Sequence, residues 1–355
     1  MLIAYIYNKD KTRQITQIFG ILSAEITEKL SDIGTAFFEI STRDTNSEVN
    51  RSITLEALQE MNIVELWHSD GIKEEKFFTG YIAGIEARWE IIKISLKTLV
   101  GIFDHRIIRT GFKFQKTGLR QMMVELWNHM KDPPLRLICR DNRAMDKTYE
   151  IGRTVSDILR DITEGGLEYR IEDGILVIGE NIGKNRSDVV QYRKEWQSPR
   201  EWNISDMTVT YSASNTHNSI TTKIKENPVH TVEDAASIAK YGYKEKYITV
   251  SGDKKETPSG FLKDHKESSR EIKITPTENN FTHIDVGDFV GVHLDAGNEI
   301  LKFSGALKIT GKQYQISGDL AQVTLTVATN SKKSQSVMEK IKQMDERIGT
   351  LEVRE

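Results

Sequence analysis

The chain has 355 residues and a mass of 40.5 kDa, more than one compact core holds, so two or more domains are expected. With 28% charged and 38% hydrophobic residues, six prolines and 24 glycines, it reads as globular, and as neither disordered, collagenous nor membrane-spanning. Lysine and arginine number 49 against 52 aspartates and glutamates, a formal charge of -3, which excludes a strong field drawing the protein onto nucleic acid. The first ten residues read as a strand rather than a signal peptide, and an aqueous, reducing compartment is expected.

Residues 1 to about 105 read as strands separated by turns. Leu2–Tyr7 leads through Asn8–Lys11 to Thr12–Leu22, Glu25–Leu30 and Thr35–Ile40. A short helix is suggested near Leu55 and Leu58, after which Ile63–His68 meets Lys76–Ile85 across Asp70-Gly71 and Ala87–Leu99 follows. Such a series predicts a small barrel or sandwich.

The period then changes. Leu119, Met122, Met123, Leu126, Trp127 and Met130 form one face of an amphipathic helix stopped by Pro133-Pro134. Thr154, with Asp157 three residues on, opens a second helix through Val155, Ile158, Leu159 and Ile162, ending at Gly165-Gly166. A hairpin follows, Leu167–Ile171 with Ile175–Ile178, turned by Asp173-Gly174.

Strands return at Ile204–Tyr211 and Asn218–Ile224. Thr231 is read as the cap of a short helix through Val232, Ala235, Ile238 and Ala239, Tyr243–Val250 as a strand, and Thr257-Pro258 as the start of a helix through Leu262. From Thr275 to Thr329 the pattern is β: Val286–Leu294, Ile300–Gly311, Gln313–Ile316 and, after Ser317-Gly318-Asp319, the alternating Val323–Val327. The predicted fold is mainly β with α+β: two β-barrel-like domains, 1–105 and 201–227 with 275–330, and a discontinuous α/β domain, 106–200 with 228–274. A C-terminal helix spans 331–355.

In that helix Val337, Ile341, Met344, Ile348 and Leu351 are spaced as a heptad seam, with Ile341 and Ile348 at a and the others at d. Lys340 and Arg347 fall at g, Asp345 and Glu352 at e, so parallel helices would pair Lys340 with Asp345 and Arg347 with Glu352. The seam is two heptads long, which leaves open both a short parallel coiled coil and an amphipathic helix lying on its own domain.

Chemistry-bearing motifs are missing. HExxH, GxSxG, GxGxxG and Walker patterns do not occur, and the match over Gly305–Lys312 fails by one residue. Ser251 and Lys254 have SxxK spacing without helical context. His283 and His293, with Asp285 and Asp288 nearby, are a candidate metal set, but strand geometry does not bring histidines ten apart together. Glu164, Glu168, Glu172 and Asp173 read as caps, turns and solvated faces. Cys139 reads as a structural thiol in the apolar run with Leu135, Leu137 and Ile138. Trp67, Trp89, Trp127, Trp196 and Trp202 read as core and interface residues. No catalytic, cofactor-binding or metal site is assigned, and no cofactor is expected.

Several stretches resemble the baseplate-hub proteins of bacteriophage tails, in particular those of long-tailed phages of Gram-positive bacteria. They are Thr35-Ala36-Phe37-Phe38-Glu39-Ile40, Phe78-Thr79-Gly80-Tyr81-Ile82, and Leu99-Val100-Gly101-Ile102-Phe103-Asp104-His105-Arg106-Ile107-Ile108. Further on come Thr154-Val155-Ser156-Asp157-Ile158-Leu159 before Gly166-Leu167-Glu168-Tyr169-Arg170, the Tyr241-Gly242 step, and Val286-Gly287-Asp288-Phe289-Val290.

The resemblance implies a homotrimer whose three chains present six similar β modules to a hexameric tail tube, related to the spike proteins of type VI secretion. It also implies a virion location at the tail tip after assembly in the host cytoplasm. The implied partners are tube or distal tail, tip or fibre and tape-measure proteins, with DNA passing through the channel unbound and no membrane insertion. Host recognition and wall degradation would belong to other proteins. The competing readings are a tail-tip peptidoglycan hydrolase or peptidase, which needs paired carboxylates or a Cys/His pair in a cleft, and a receptor- or carbohydrate-binding module.

Overall fold

The computed structural model describes residues 1–42, 56–69, 74–131, 133–164, 166–212, 216–223, 230–249, 258–267, 269–277, 284–298, 301–318 and 320–328. The chain divides into two compact units: Met1–Thr208 with Lys273–Val327, and Val209–Ile272 with, as far as it is described, Ala328. The fold is mainly β, as the sequence suggested.

The chain opens with β1 (Leu2–Tyr7), β2 (Gln14–Ile18), β3 (Ile21–Lys29), β4 (Thr35–Ser41), β5 (Ile63–Ser69), β6 (Glu74–Ala87) and β7 (Ile91–Thr98). Alternation decides which face each strand buries: Ala36, Phe38 and Ile40 of β4 turn inward while Phe37 and Glu39 do not. The expected strand Thr12–Leu22 is broken at Gly20, whose φ of 68° suits glycine, so β2 and β3 are separate. Glu56–Leu58 is a turn rather than a helix; Leu55 and the Asp70-Gly71 turn lie outside the described residues.

A 3-10 stretch, Leu99–His105, leads to β8 (Phe112–Gly118), α1 (Leu119–Asn128), β9 (Arg136–Cys139), β10 (Ala144–Tyr149) and α2 (Val155–Glu164). Leu119, Met122, Met123, Leu126 and Trp127 of the predicted stripe are buried in α1, which ends at Asn128, short of the half-buried Met130 and of Pro133-Pro134. They pack with Val155, Ile158, Leu159 and Ile162 of α2 into a core that includes Phe103 and Tyr149. Thr154 caps α2 as expected, its Oγ1 accepting from the Asp157 N–H at 3.1 Å. The hairpin β11 (Glu168–Glu172) with β12 (Ile175–Gly179) turns at Asp173 and Gly174, with φ of 47° and 76°. β13 (Gln191–Glu195) and β14 (Ile204–Ser212) follow.

The second unit holds β15 (Ser219–Lys223), β16 (His230–Glu233), α3 (Ala235–Tyr241), β17 (Glu245–Thr249) and α4 (Pro258–His265), with the strands in the order β16-β15-β17. Thr231 does not cap a helix. The β-branched Thr231 and Val232 pair with Thr221 and Ile220 in β16, and Asp234 caps α3 by accepting from the Ser237 N–H at 2.9 Å. Thr257 lies outside the described residues.

The chain continues through β18 (Ser269–Pro276), β19 (Phe289–Asp295), β20 (Lys302–Ser317) and β21 (Leu320–Ala328). The two strands expected over 300–316 are one: Lys312, polar and placed where the pattern breaks, is buried inside β20.

One sheet runs β14-β18-β21-β20-β3-β4-β7-β6-β5-β1-β2, with β19 also on β20 and β13 on β19. Six strands therefore recur in the same neighbour order, β3-β4-β7-β6-β5-β1 and β14-β18-β21-β20-β19-β13. In each group the longest strand pairs with its predecessor first. β6 meets β5 up to Tyr81 and β7 from Gly80 on; β20 meets β19 up to Lys308, with β21 its other neighbour in the group.

Local geometry recurs too. The Met61 N–H donates to the Ile82 carbonyl and the Ile82 N–H to the Asn62 carbonyl, both at 2.9 Å; the Gly287 N–H donates to the Ile309 carbonyl at 2.7 Å and the Ile309 N–H to the Asp288 carbonyl at 2.8 Å. Met61 and Gly287 both take positive φ, 69° and 95°. Two residues past Ile82 and Ile309 stand Gly84 and Gly311. The strongest departure is that β1 pairs antiparallel with β5 whereas β13 is parallel to β19.

Candidate functional site

The two strand groups meet where Gly311–Ser317 of β20 pairs with Lys29–Ser23 of β3. Just before this joint β20 is buried without interruption from Leu307 to Lys312, a run that includes two lysines, each 4% exposed. An unpaired ammonium cannot be kept there, because burying charge without a partner costs far more than a fold's net stability allows. Lys308 Nζ donates to Glu168 Oε1 at 2.7 Å and to Asn181 Oδ1 at 2.8 Å. Lys312 lies opposite Glu28 across the joint and its Nζ donates to the Ile284 carbonyl.

Asp288, fully buried at the entrance to β19, is the centre of a second cluster. It accepts from the Lys184 N–H and from Arg186 Nε, both at 2.8 Å, and from Arg170 Nη1 at 3.3 Å. Arg170 also donates to the Val286 carbonyl and, through Nε, to Glu172, both at 2.8 Å; Glu172 in turn holds Arg140 at 2.9 Å. Backbone packing closes the cluster: a Cβ at Gly183 would lie 1.7 Å from the Gly287 carbonyl oxygen, so only glycine fits.

Burial opposes ionisation of Asp288, but the Lys184 amide and the Arg186 side chain outweigh it and hold the carboxyl below its ordinary value. Burial pushes the Glu28 carboxyl up, with Lys312 pulling the other way and Asp285 adding to the rise. Burial also works against the charge on Lys312; Tyr314 and Glu28 outweigh it and keep the ammonium protonated above its ordinary range. The named charges face one another rather than a cleft. The arrangement clamps the hairpin β11–β12 and residues 181–186 to β19 and the middle of β20.

The candidate metal set does not assemble. Asp288 is occupied by cations, His293 is half-buried with its Nδ1 2.9 Å from Ser304 Oγ, and His283 lies outside the described residues. Among the described residues no group of three or more metal-binding side chains forms. Ser251 and Lys254 lie outside them, as do Val337, Lys340, Ile341, Met344, Asp345, Arg347, Ile348, Leu351 and Glu352. Cys139 is buried, and burial raises its thiol pKa.

Glu168 is a correction: expected on a solvated face, it is 6% exposed and pairs with buried Lys308. Of the tryptophans only Trp127 is core, its Nε1 donating to the Leu135 carbonyl at 2.9 Å. Trp67 is half-buried, while Trp89, Trp196 and Trp202 are exposed, Trp89 by 83%. A groove of about 500 Å³ on the sheet is lined by Ser23, Glu25, Phe37, Gln315, Ser317 and Gln322 among others, with Glu25 its single charged residue. That lining supplies no second acid or base for hydrolysis.

No protein-family model and no curated protein sequence matches the chain. Its structure is similar to solved ones over almost its whole length. The 43 kDa tail protein of prophage MuSo2 from Shewanella oneidensis aligns with a TM-score of 0.63 at 15% identity, covering 94% of this chain and 98% of that one. The prophage tail protein gp18 from Listeria monocytogenes aligns with a TM-score of 0.63 at 9% identity, covering 97% and 98%. The Escherichia coli type VI secretion component c3393 aligns at 0.51 and 14% identity, covering 88% and 74%. The chain has the tail-protein fold that the sequence resemblance implied.

Proposed function

We propose that the protein is a structural baseplate hub of a phage tail: three copies form a ring that joins a hexameric tail tube to a threefold tip and surrounds the channel for genome passage. The observation that carries this reading is the repeated six-strand group within one chain, on a fold similar end to end to prophage tail proteins. Two similar groups per chain let three copies offer six equivalent surfaces, which is what a sixfold partner requires.

The reading keeps 1–105 as one barrel-like module and takes the second strand group, β13 and β14 with β18 to β21, as the other. The sequence bounds 201–227 with 275–330 therefore shift to include β13 and all of β18 and to release β15 to the excursion that holds β16, β17, α3 and α4. The heptad from Val337 to Leu351 holds a tip or fibre partner. The tube or distal tail protein and the tape-measure protein are the other neighbours, and the hub works in the virion without catalysing a reaction. A near-neutral charge of -3 suits a channel that DNA crosses without being held. Among the described residues no helix is long and apolar enough to cross a membrane.

Mass photometry of the full chain tests the reading, with a three-copy species of 40.5 kDa chains as the expected result. Truncation after Asn330 is expected to leave that species intact and abolish capture of the tip partner. A protein that stays a single chain at every concentration tested, or that clears a peptidoglycan zymogram in catalytic amounts, overturns it.

A further inference from the structure

The repeat that supports the ring also shows where it is unfinished. Aligning Ile82 with Ile309 by their matching hydrogen bonds places Gly84 on Gly311, Ile85 on Lys312 and Ala87 on Tyr314. In the second group that stretch of β20 carries β3 on its outer flank. In the first group, among the described residues, the same flank of β6 carries no strand.

Burial follows this difference. Lys312 is 4% and Tyr314 3% exposed, whereas Ile85 is 39% exposed and Ala87 is exposed as well. The Arg88 N–H donates to the Ile91 carbonyl, which makes Ala87 and Ile92 a non-hydrogen-bonded pair across the hairpin. The N–H groups of Ala87 and Ile85 therefore point away from β7, out of the sheet's edge.

The counterpart of β3 in the second group is β14, which among the described residues ends the sheet. Natural sheets guard a free edge with charge, proline or a bulge. β14, nine residues long, carries one charge, Asp206, and no proline. Ser205, Asp206 and Thr208 are exposed; the Ser205 carbonyl accepts from Lys194 Nζ at 2.8 Å. Among the described residues, one chain thus presents an open flank on β6 and, elsewhere, the strand type that fills such a flank.

We infer that β14 of a second copy pairs along Gly84–Ala87 of β6, repeating between chains the joint that β3 makes with β20 within one. The two surfaces differ, so the contact is head-to-tail, and repetition closes a ring in which intrachain and interchain joints alternate. The inference rests on the ring reading and names its interface.

Cysteines at Ala87 and Thr208 in the full chain, treated with a short bis-maleimide, test it; native Cys139 is buried. The double variant should give linked species ending at three chains, and each single variant none. Ala87→Pro removes one outward N–H without touching the β7 ladder, and should raise the concentration at which the assembly dissociates at least tenfold while leaving the melting temperature of the dilute chain unmoved. An oligomer that gives no linked species and is indifferent to Ala87→Pro overturns the joint and leaves the ring standing. A single chain under all conditions overturns both.

Discussion

β6 and β20 occupy the same place in two copies of one strand group, yet one is buried where the other is open. β20 has neighbours on both flanks past Gly311 and can bury Lys312 and Tyr314; β6, past Gly84, leaves Ile85 to solvent. The entry turns differ in the same sense. Asn62, buried at 5% exposure, donates to the Glu56 and Ala57 carbonyls at 2.7 and 3.2 Å, whereas Asp288 at the matching position gathers two arginines and a backbone amide. The lesson is that a shared backbone plan tolerates either a neutral or an ionic solution, and the surrounding chain decides which.

Substitutions at matched positions can break that comparison. Asp288→Ala strands Arg170 and Arg186 and should cost about 3–5 kcal/mol in chemical denaturation, while Asn62→Ala should cost about 1–3 kcal/mol; equal losses would mean the ionic cluster adds nothing. Tyr314→Ala should cost about 3 kcal/mol or more by cavity formation, against less than about 1 kcal/mol for Ile85→Ala in the dissociated chain. As a reference outside both groups, Thr154→Ala removes the α2 cap and should cost about 1 kcal/mol.

The smallest effect concerns pH. The folded Glu28 value lies above its ordinary 4.5, so folding takes up a proton there, and stability rises as pH falls from the raised value towards 4.5. Asp288 acts in the opposite sense: its depressed value contributes stability above its ordinary 3.8, which is lost as pH falls through the folded value. Melting temperature followed against pH should show the rise before the acid collapse, and Glu28→Gln should remove the rise alone.

Periodicity made much of this architecture legible. The α1 stripe from Leu119 to Trp127, the Thr154 cap and the Asp173-Gly174 turn are local signals, and each is found where the spacing places it, only Met130 falling past the helix end. β8 carries a usable alternation in Phe112 and Phe114, both buried. β13 carried almost none, because Gln191–Glu195 has a single apolar residue, Tyr192, and its place is set by pairing with β19. The charged clamp stayed hidden for the same reason. Glu168 and Lys308 are 140 residues apart, and each alone looks like a solvated side chain; only the fold reveals that they neutralise each other. Lys312 misled by splitting β20 in two, since polarity in a strand usually means solvent and here means a buried partner.

The link between β3 and β4 is the short turn 30–34, while the matching link between β14 and β18 is the stretch 213–268. Strands that adjoin in the sheet fix both ends of that excursion a few ångströms apart, so its length and content are decoupled from the framework. Exchange of 213–268 for a tight turn, or for a foreign domain with neighbouring termini, is thus an evolutionary degree of freedom that leaves the surrounding lattice of strands with the same bonds to make.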